Sequence, residues 1–240
     1  DYLMYADLDF KHPEVIQNLY DWADWFIEIT GIHGFRLDAI KHIDSFFMGN
    51  FIRDIMAKYG EDFYVFGEFW NGDETANNDY LGSIDYRFDL VDVKLHHNLF
   101  DASRAGADYD LRNIFEQTLV KNHPKSAVTF VDNHDTQRGQ ALESTVEEWF
   151  KPAAYALILL REAGLPCVFY GDYYGINGKS CYVSLPEGKA INGHRNVGKF
   201  HNSPLFRPFS QVLILSFQYI LRQFSRHTHI HKRPQNASFT

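Results

Sequence analysis

The sequence has few cysteines and no long apolar run, and both absences narrow the class of protein. Only two cysteines occur in 240 residues, Cys167 and Cys181, so a disulfide-stapled fold is not indicated. No run of about 18 apolar residues occurs, so we expect no membrane-spanning helix. No glycine-rich phosphate loop follows any predicted strand, which argues against the open nucleotide-binding sheets. The chain opens at Asp1 without a leader, which leaves secreted and cytoplasmic locations both open.

Acidic and basic residues are unevenly distributed along the chain. The net charge of −8 argues against a nucleic-acid partner, because phosphate backbones attract basic surfaces. Residues 179–240 carry nine Lys or Arg and a single acid, whereas residues 1–178 carry 30 acids and 14 bases. We therefore divide the chain into a domain over residues 1–178 and a basic tail over residues 179–240, which is either unrelated in structure or disordered.

Apolar periodicity in the first part of the chain alternates between helix and strand. Steps of three and four predict a helix from Pro13 to Gly31 and another from Phe47 to Gly60. Further helices are predicted over 110–119 and from the Ser144/Glu147 capping-box pattern to Gly164, with a polar loop over 71–79. Strands are predicted at five apolar runs, around 34–38, 63–70, 87–93, 127–135 and 165–172. Such alternation favours an α/β fold, either a (β/α) barrel or an open doubly wound sheet, and we prefer the barrel.

Acidic residues follow three of the predicted strands, at Asp38, Glu68 and Asp135. In a barrel the C-terminal strand ends converge on one mouth. Two carboxylates can there cleave a glycosidic bond with retention, and a third can stabilise the oxocarbenium ion. Arg36 lies on the same strand face as Asp38 and favours its ionised form. Alone, the Arg36 and Asp38 pair is equally consistent with a structural ion pair, but three acids at equivalent positions favour a catalytic site.

These residues lie in three motifs that resemble the α-amylase family of glycoside hydrolases. The motifs are Gly34-Phe-Arg-Leu-Asp-Ala-Ile-Lys-His42, Gly67-Glu-Phe-Trp70 and Phe130-Val-Asp-Asn-His-Asp135. Over about residues 1–178 the chain is most similar to the bacterial liquefying type. The resemblance implies an incomplete TIM (β/α)8 barrel with about strands 4 to 8.

The resemblance also implies roles for individual residues. Asp38 would be the nucleophile, Glu68 the general acid/base and Asp135 the stabiliser of the transition state. The residues implied to serve substrate binding are Arg36, which also keeps Asp38 ionised, together with Lys41, His42, Trp70 and His134.

Calcium is the cofactor that the resemblance implies. Its ligands would include Asp1, Asp7 and the backbone carbonyl of His42, with Asp9 near a second ion, and hard cations do prefer such oxygen ligands. Lys11 stands where similar proteins have another acid, and its positive charge weakens the second site. Without the resemblance, Asp7 and Asp9 would be ordinary loop charges.

The function that follows is a retaining hydrolase of internal α-1,4 bonds in starch or glycogen. We expect an α-glucan polysaccharide or oligosaccharide as its partner, no nucleic acid, no membrane, and a monomer for a full-length enzyme. With an incomplete barrel, the 240-residue chain is expected to show little turnover. The alternatives are a non-catalytic glucan-binding or misfolded fragment, and a sister transglycosylase or α-1,6-glucosidase.

Overall fold

A computed structural model describes residues 8–175 and the backbone of residues 213–215. The helices are α1 Pro13–Thr30, α2 Ser45–Tyr59, α3 Glu74–Ser83, α4 Val93–Ala105, α5 Leu119–Asn122, α6 Lys151–Leu159 and α7 Tyr170–Tyr174. The strands are β1 Gly34–Leu37, β2 Tyr64–Gly67, β3 Asp89–Val91, β4 Ala127–Phe130, β5 Leu165–Cys167 and β6 Leu213–Leu215. In this part of the chain, no helix is both long and apolar enough for a membrane span.

All strand pairs in the sheet are parallel, in the order β5-β4-β3-β2-β1-β6. The first five strands are neighbours in chain order, joined by helical crossovers as parallel strands require. This arrangement confirms the predicted α/β fold and five predicted strand positions. The consequence for function is that the C-terminal ends of β1 to β5 lie along one edge of the sheet.

The sixth strand comes from the segment that the sequence analysis assigned to the basic tail. Leu213–Leu215 pairs in parallel with β1, with Leu213 beside Phe35 and Leu215 beside Leu37. Most of residues 179–240 lie outside the described residues. The domain division at residue 178 therefore stays a prediction.

The first two predicted helices are confirmed, and their ends have local causes. Pro13 occupies the first turn of α1, and Gly31 ends it in a left-handed conformation with φ of 64°. The side chain of Asp44 accepts the N–H of Phe47 at 2.7 Å and so caps α2. Both helices bury an apolar stripe against the sheet, and Ile52 of α2 is fully buried.

Two helices were missed by the sequence analysis. The loop predicted over 71–79 is wrong, because α3 begins at Glu74, where Asp73 accepts the N–H of Ala76 at 2.8 Å. Helix α4 begins at Val93, inside the strand predicted over 87–93, because Asp92 caps it. Polar residues dominate α3, so its apolar periodicity is too weak to reveal a helix.

Other predicted boundaries were also wrong. The helix predicted over 110–119 is a 3-10 turn at Leu111–Asn113 followed by the short α5. The helix predicted from Ser144 begins at Lys151, because the Ser144 hydroxyl contacts the His96 ring at 2.8 Å instead of capping. The strands predicted to reach 135 and 172 end at Phe130 and Cys167.

Candidate active site

The ends of β1 and β2 bring Asp38 and Glu68 side by side. Leu37 lies beside Gly67 in the parallel register. Past the strand ends, the N–H of Glu68 donates to the Leu37 carbonyl at 2.7 Å, and the N–H of Ile40 donates to the Glu68 carbonyl at 3.2 Å. The backbone ladder therefore continues past the strands and fixes both acid-bearing residues.

Arg36 bridges the two carboxylates. One guanidinium nitrogen lies 3.3 Å from Asp38 Oδ1 and the other lies 3.3 Å from Glu68 Oε2. The Arg36 and Glu68 side chains are buried, and that of Asp38 is 14% exposed. The N–H of Ala39 donates a further hydrogen bond, of 3.3 Å, to Glu68 Oε2. Fixed charges and donors therefore hold both acids in place before any substrate binds.

The Glu68 carboxyl group has an unusual affinity for its proton. The pKa of Glu68 is raised to about 7, and burial is the largest cause. A hydrogen bond with Asp38 also raises this pKa, by more than the charge of Arg36 lowers it. Near neutral pH a large fraction of Glu68 therefore carries a proton. Such a carboxyl can donate that proton and later accept one, as general acid/base catalysis requires.

Two glycines lie where β1 and β2 make close contacts with neighbouring atoms. A Cβ atom at Gly34 would lie 2.2 Å from the carbonyl oxygen of Tyr64, and one at Gly67 would lie 2.4 Å from the Ile40 side chain. Real Cβ atoms do not approach other atoms so closely. Gly34 therefore needs to be glycine, because the obstacle is backbone, whereas at Gly67 the nearest obstacle is the end of the Ile40 side chain, which can shift.

Lys41 and Trp70 lie together in the segments that follow β1 and β2. Lys41 and His42 form a 3-10 turn after β1, and the Lys41 ammonium donates to the Trp70 carbonyl at 3.5 Å. The Trp70 ring packs against His97 and Phe130, with each pair of centroids 6.3 Å apart. The structure thus brings together Lys41 and Trp70, two of the residues predicted to contact sugar, whereas His42 lines the cleft that contains Asp9.

Asp135 and His134 lie in the loop that follows β4. The Asn133 side chain accepts the N–H of Asp135 and of Thr136, both at 2.9 Å. His134 Nε2 lies 3.2 Å from Asp135 Oδ2, and both side chains are more than one-third exposed. The described partners of Asp135 lie in its own loop, so its place beside Asp38 and Glu68 stays a prediction.

The predicted metal residues are only partly described. Asp1 and Asp7 lie outside the described residues. Asp9, Lys11 and His42 help to line one cleft of about 360 Å³, and Asp9 Oδ1 accepts the N–H of Lys11 at 3.0 Å. Over residues 8–175, no three His, Cys, Asp or Glu side chains cluster closely enough to hold a metal ion. The calcium ligands therefore stay a prediction.

The sequence analysis did not identify one group of buried polar residues close to the loop that follows β4. Asp132, Lys151, Tyr155 and Asp172 contact each other behind the loop that carries Asp135. Lys151 lies in an otherwise apolar helix face, and a lysine there is the sequence signal that could have revealed the group.

The fold and the site together define a class of protein. A parallel α/β sheet with a bridged pair of carboxylates at the C-terminal strand ends is typical of the TIM-barrel enzymes, which carry their active sites at that edge.

Comparison with known sequences identifies the family. The family model for Alpha-amylase, "Alpha amylase, catalytic domain", matches residues 1–203. The chain belongs to this α-amylase catalytic-domain family. The match continues past residue 178, where the sequence analysis placed the end of the resemblance.

Several bacterial relatives are close in sequence. The glucan 1,4-alpha-maltohexaosidase of Bacillus sp. (strain 707) is 52% identical over 176 residues, which are 73% of this chain and 34% of that protein. The alpha-amylase of Geobacillus stearothermophilus is 49% identical over 73% of this chain and 32% of its own. The cytoplasmic alpha-amylase of Escherichia coli (strain K12) is 45% identical over 73% of this chain and 35% of its own length. The chain thus spans about one third of the length of these relatives.

Solved structures show the same fold. The alpha-amylase of Geobacillus thermoleovorans, solved in complex with acarbose, matches with a TM-score of 0.57 and 30% identity over 72% of this chain and 39% of its own. An Anoxybacillus alpha-amylase matches with a TM-score of 0.56 and 26% identity, over 79% of this chain and 40% of its own. Strands β1 to β5 are therefore part of a TIM barrel of the kind that α-amylases have.

Proposed function

We propose that this chain carries the catalytic centre of an α-amylase that hydrolyses internal α-1,4-glucosidic bonds of starch or glycogen with retention. The observation that supports this most strongly is the buried pair of Asp38 and Glu68 bridged by Arg36. Retaining glycosidases need two carboxyl groups about 5 Å apart, one ionised and one protonated. Arg36 contacts the Asp38 carboxylate at 3.3 Å, and burial raises the pKa of Glu68 and so keeps a proton on it.

The reaction takes two displacements. The Asp38 carboxylate attacks the anomeric carbon, the bond to the leaving oxygen breaks, and that oxygen takes the proton of Glu68. Glu68, now a carboxylate, then takes a proton from water while the water oxygen attacks the anomeric carbon and releases Asp38. Asp135 stabilises the positive charge that develops on the sugar in both steps.

The neighbouring residues suit a sugar chain as substrate. The indole ring of Trp70 can stack on the apolar face of a glucose unit. Lys41, His42 and His134 supply hydrogen-bond donors for hydroxyl groups. The relative from Geobacillus thermoleovorans binds acarbose, and we assign the same kind of oligosaccharide ligand to this chain. The enzyme acts as a monomer in this proposal.

Calcium has a structural role in the proposal. Asp1, Asp7 and the backbone carbonyl of His42 would hold one ion, and Asp9 would lie near a second. Oxygen ligands of this kind suit Ca²⁺. We expect Ca²⁺ to raise the melting temperature of the protein and a chelator to reverse this rise. An Asp9→Asn variant should keep most of the rise, because the positive charge of Lys11 opposes the second ion.

Two substrates separate the roles of the two acids. We would assay the 240-residue chain, and a complete version of the enzyme in which the variants are compared, on starch and on 4-nitrophenyl α-maltotrioside, whose leaving group needs little help from an acid. In Glu68→Gln, the fold-loss of activity on starch should be at least ten times the fold-loss on the aryl substrate. Asp38→Asn should lose activity on both substrates. The exposed Glu116 offers a matched control, Glu116→Gln, which should change neither.

The same experiment tests the rival functions. Activity retained in Asp38→Asn, or equal losses on both substrates in Glu68→Gln, would contradict the assigned roles. Calorimetric binding of acarbose without turnover would favour a glucan-binding fragment. Branched or transfer products from amylose would favour the sister activities.

A further inference from the structure

A second set of buried charges lies away from the Asp38 and Glu68 pair. The Lys151 ammonium is 2.8 Å from Asp132 Oδ2 and also contacts Asp172 Oδ1. The Tyr155 hydroxyl donates to Asp172 Oδ2 at 2.6 Å. The side chains of Lys151, Asp132 and Asp172 are 4%, 1% and 6% exposed. This cluster joins α6, α7 and the loop that follows β4.

Asp132 organises the loop that carries His134 and Asp135. Its Oδ1 atom accepts the N–H of Val146 at 3.1 Å and the hydroxyl of Thr136 at 3.4 Å. The same carboxylate therefore holds Thr136, directly after His134 and Asp135, and also Val146, ten residues further along the chain. A shift of Asp132 would move both predicted site residues.

Helix α4 supports the same loop from its other side. His96 is fully buried, and its Nδ1 lies 2.6 Å from the Val131 carbonyl and 4.0 Å from Asp132 Oδ1. Burial lowers the pKa of His96 to about 4, so the ring is neutral and donates to the carbonyl. A neutral His96 cannot balance the charge of Asp132.

Lys151 is therefore the cation that balances two buried carboxylates. Burial raises the pKa of Asp132 to about 6, and Lys151 is the largest of the influences that lower it. Burial opposes the charge on Lys151, but Asp132 and Asp172 together raise its pKa above the ordinary value. Removing the ammonium would leave two like charges close together without a counter-ion.

We propose that Lys151 is a positioning residue, which holds the loop 131–136 in the conformation that presents His134 and Asp135 to the glucan. This inference rests on the proposed function and adds to it a residue outside the pocket. Lys151 acts through Asp132 and touches no substrate. A cluster that served only global stability would affect all parts of the sheet alike.

The test compares local with global stability in the 240-residue chain. Lys151→Met removes the charge at similar length, Lys151→Arg retains it, and Lys121→Met removes an exposed lysine paired with Glu116. In Lys151→Met, amide hydrogen exchange should become about tenfold faster in residues 131–136 and at Val146, with less than about twofold change in β1 and β2. Lys151→Arg should restore protection, and Lys121→Met should not change it.

A carboxyl titration gives a second readout, which tests whether Lys151 acts through Asp132. Asp132 faces Lys151 from α6, Asp172 from α7 and His96 from α4. Its ¹³C NMR midpoint should rise by at least about one pH unit in Lys151→Met and return in Lys151→Arg. An unchanged midpoint, or exchange that accelerates uniformly over the sheet, would overturn the proposal.

Two further arms keep the outcomes separate. Tyr155→Phe removes only the hydroxyl contacts to Asp172 and to the Phe169 N–H, and it should accelerate loop exchange about two- to fivefold even if Lys151→Met does not fold. Unchanged exchange in Tyr155→Phe would count against the cluster. Acarbose binding to the wild type tests the proposed function alone, because exchange and titration decide the role of Lys151 without any ligand.

Discussion

Replacing Arg36 by methionine tests how the carboxylate pair is held together. The variant keeps a buried side chain of similar length but removes the charge that lies 3.3 Å from both Asp38 and Glu68. At an effective dielectric constant of 20, each such contact is worth about 5 kcal/mol before the cost of desolvation. Breaking a buried pair by removing one partner costs about 3–5 kcal/mol. We expect a loss of that size in the free energy of unfolding at pH 8.5.

The loss should depend on pH, because Glu68 changes its charge in the accessible range. Its pKa is raised to about 7 with Arg36 present. Without the guanidinium it should rise by about 1–3 units more, since an opposite charge accounts for shifts of that size. At pH 8.5 the wild-type Glu68 is ionised and stabilised by Arg36, whereas at pH 5.5 it is protonated in both proteins. The loss in the free energy of unfolding caused by Arg36→Met should therefore be about 1–2 kcal/mol larger at pH 8.5 than at pH 5.5.

Urea unfolding of both proteins at the two pH values measures this difference. Arg53→Met is the matched control, because Arg53 forms an ion pair with Asp54 in which both side chains are more than 40% exposed. Its removal should cost no more than about 1 kcal/mol at either pH. A loss below 1 kcal/mol for Arg36→Met at pH 8.5, or the same loss at both pH values, would refute the reasoning.

Three further predictions concern backbone contacts and the buried acids, and urea unfolding measures each. Gly34→Ala should cost about 3 kcal/mol, because its Cβ would lie 2.2 Å from a backbone oxygen of β2, whereas Gly82→Ala, which meets nothing within 4 Å, should be tolerated. Asp92→Ala should cost about 2–4 kcal/mol, because that buried carboxylate accepts two backbone N–H groups at 2.9 and 2.8 Å. Folded Glu68 binds its proton up to about pH 7 instead of 4.5, so wild-type stability should fall by up to about 3 kcal/mol relative to Glu68→Gln as the pH rises through that window, and equal pH profiles for the two proteins would contradict this.

The sequence predicts the strands, and the position of two acids at their ends, because these signals are local. Asp38 and Glu68 each follow a short apolar run, and parallel strand order then places them at one edge. Gly34 marks the close approach of β1 and β2, although the need for glycine there becomes clear only from the interatomic distances.

Features that depend on contacts between distant residues could not be predicted in the same way. Ser144 matches a capping pattern, yet its hydroxyl contacts His96, 48 positions away. Helix α3 has few apolar residues, so its polar sequence is typical of a loop, and the side chain of Asp73 is what begins the helix. The pairing of Lys151 with Asp132 and Asp172 joins three separate elements, and no spacing rule relates such positions.

The most direct test of the proposed catalytic pair is a ¹³C NMR titration of the Glu68 carboxyl group in the 240-residue chain. With Asp38 and Arg36 both present, its midpoint should lie near pH 7. Asp38→Asn should lower that midpoint, because the Asp38 contact favours the protonated form, and Arg36→Met should raise it. A wild-type midpoint near the ordinary value of 4.5, or one that neither substitution changes, would contradict the account.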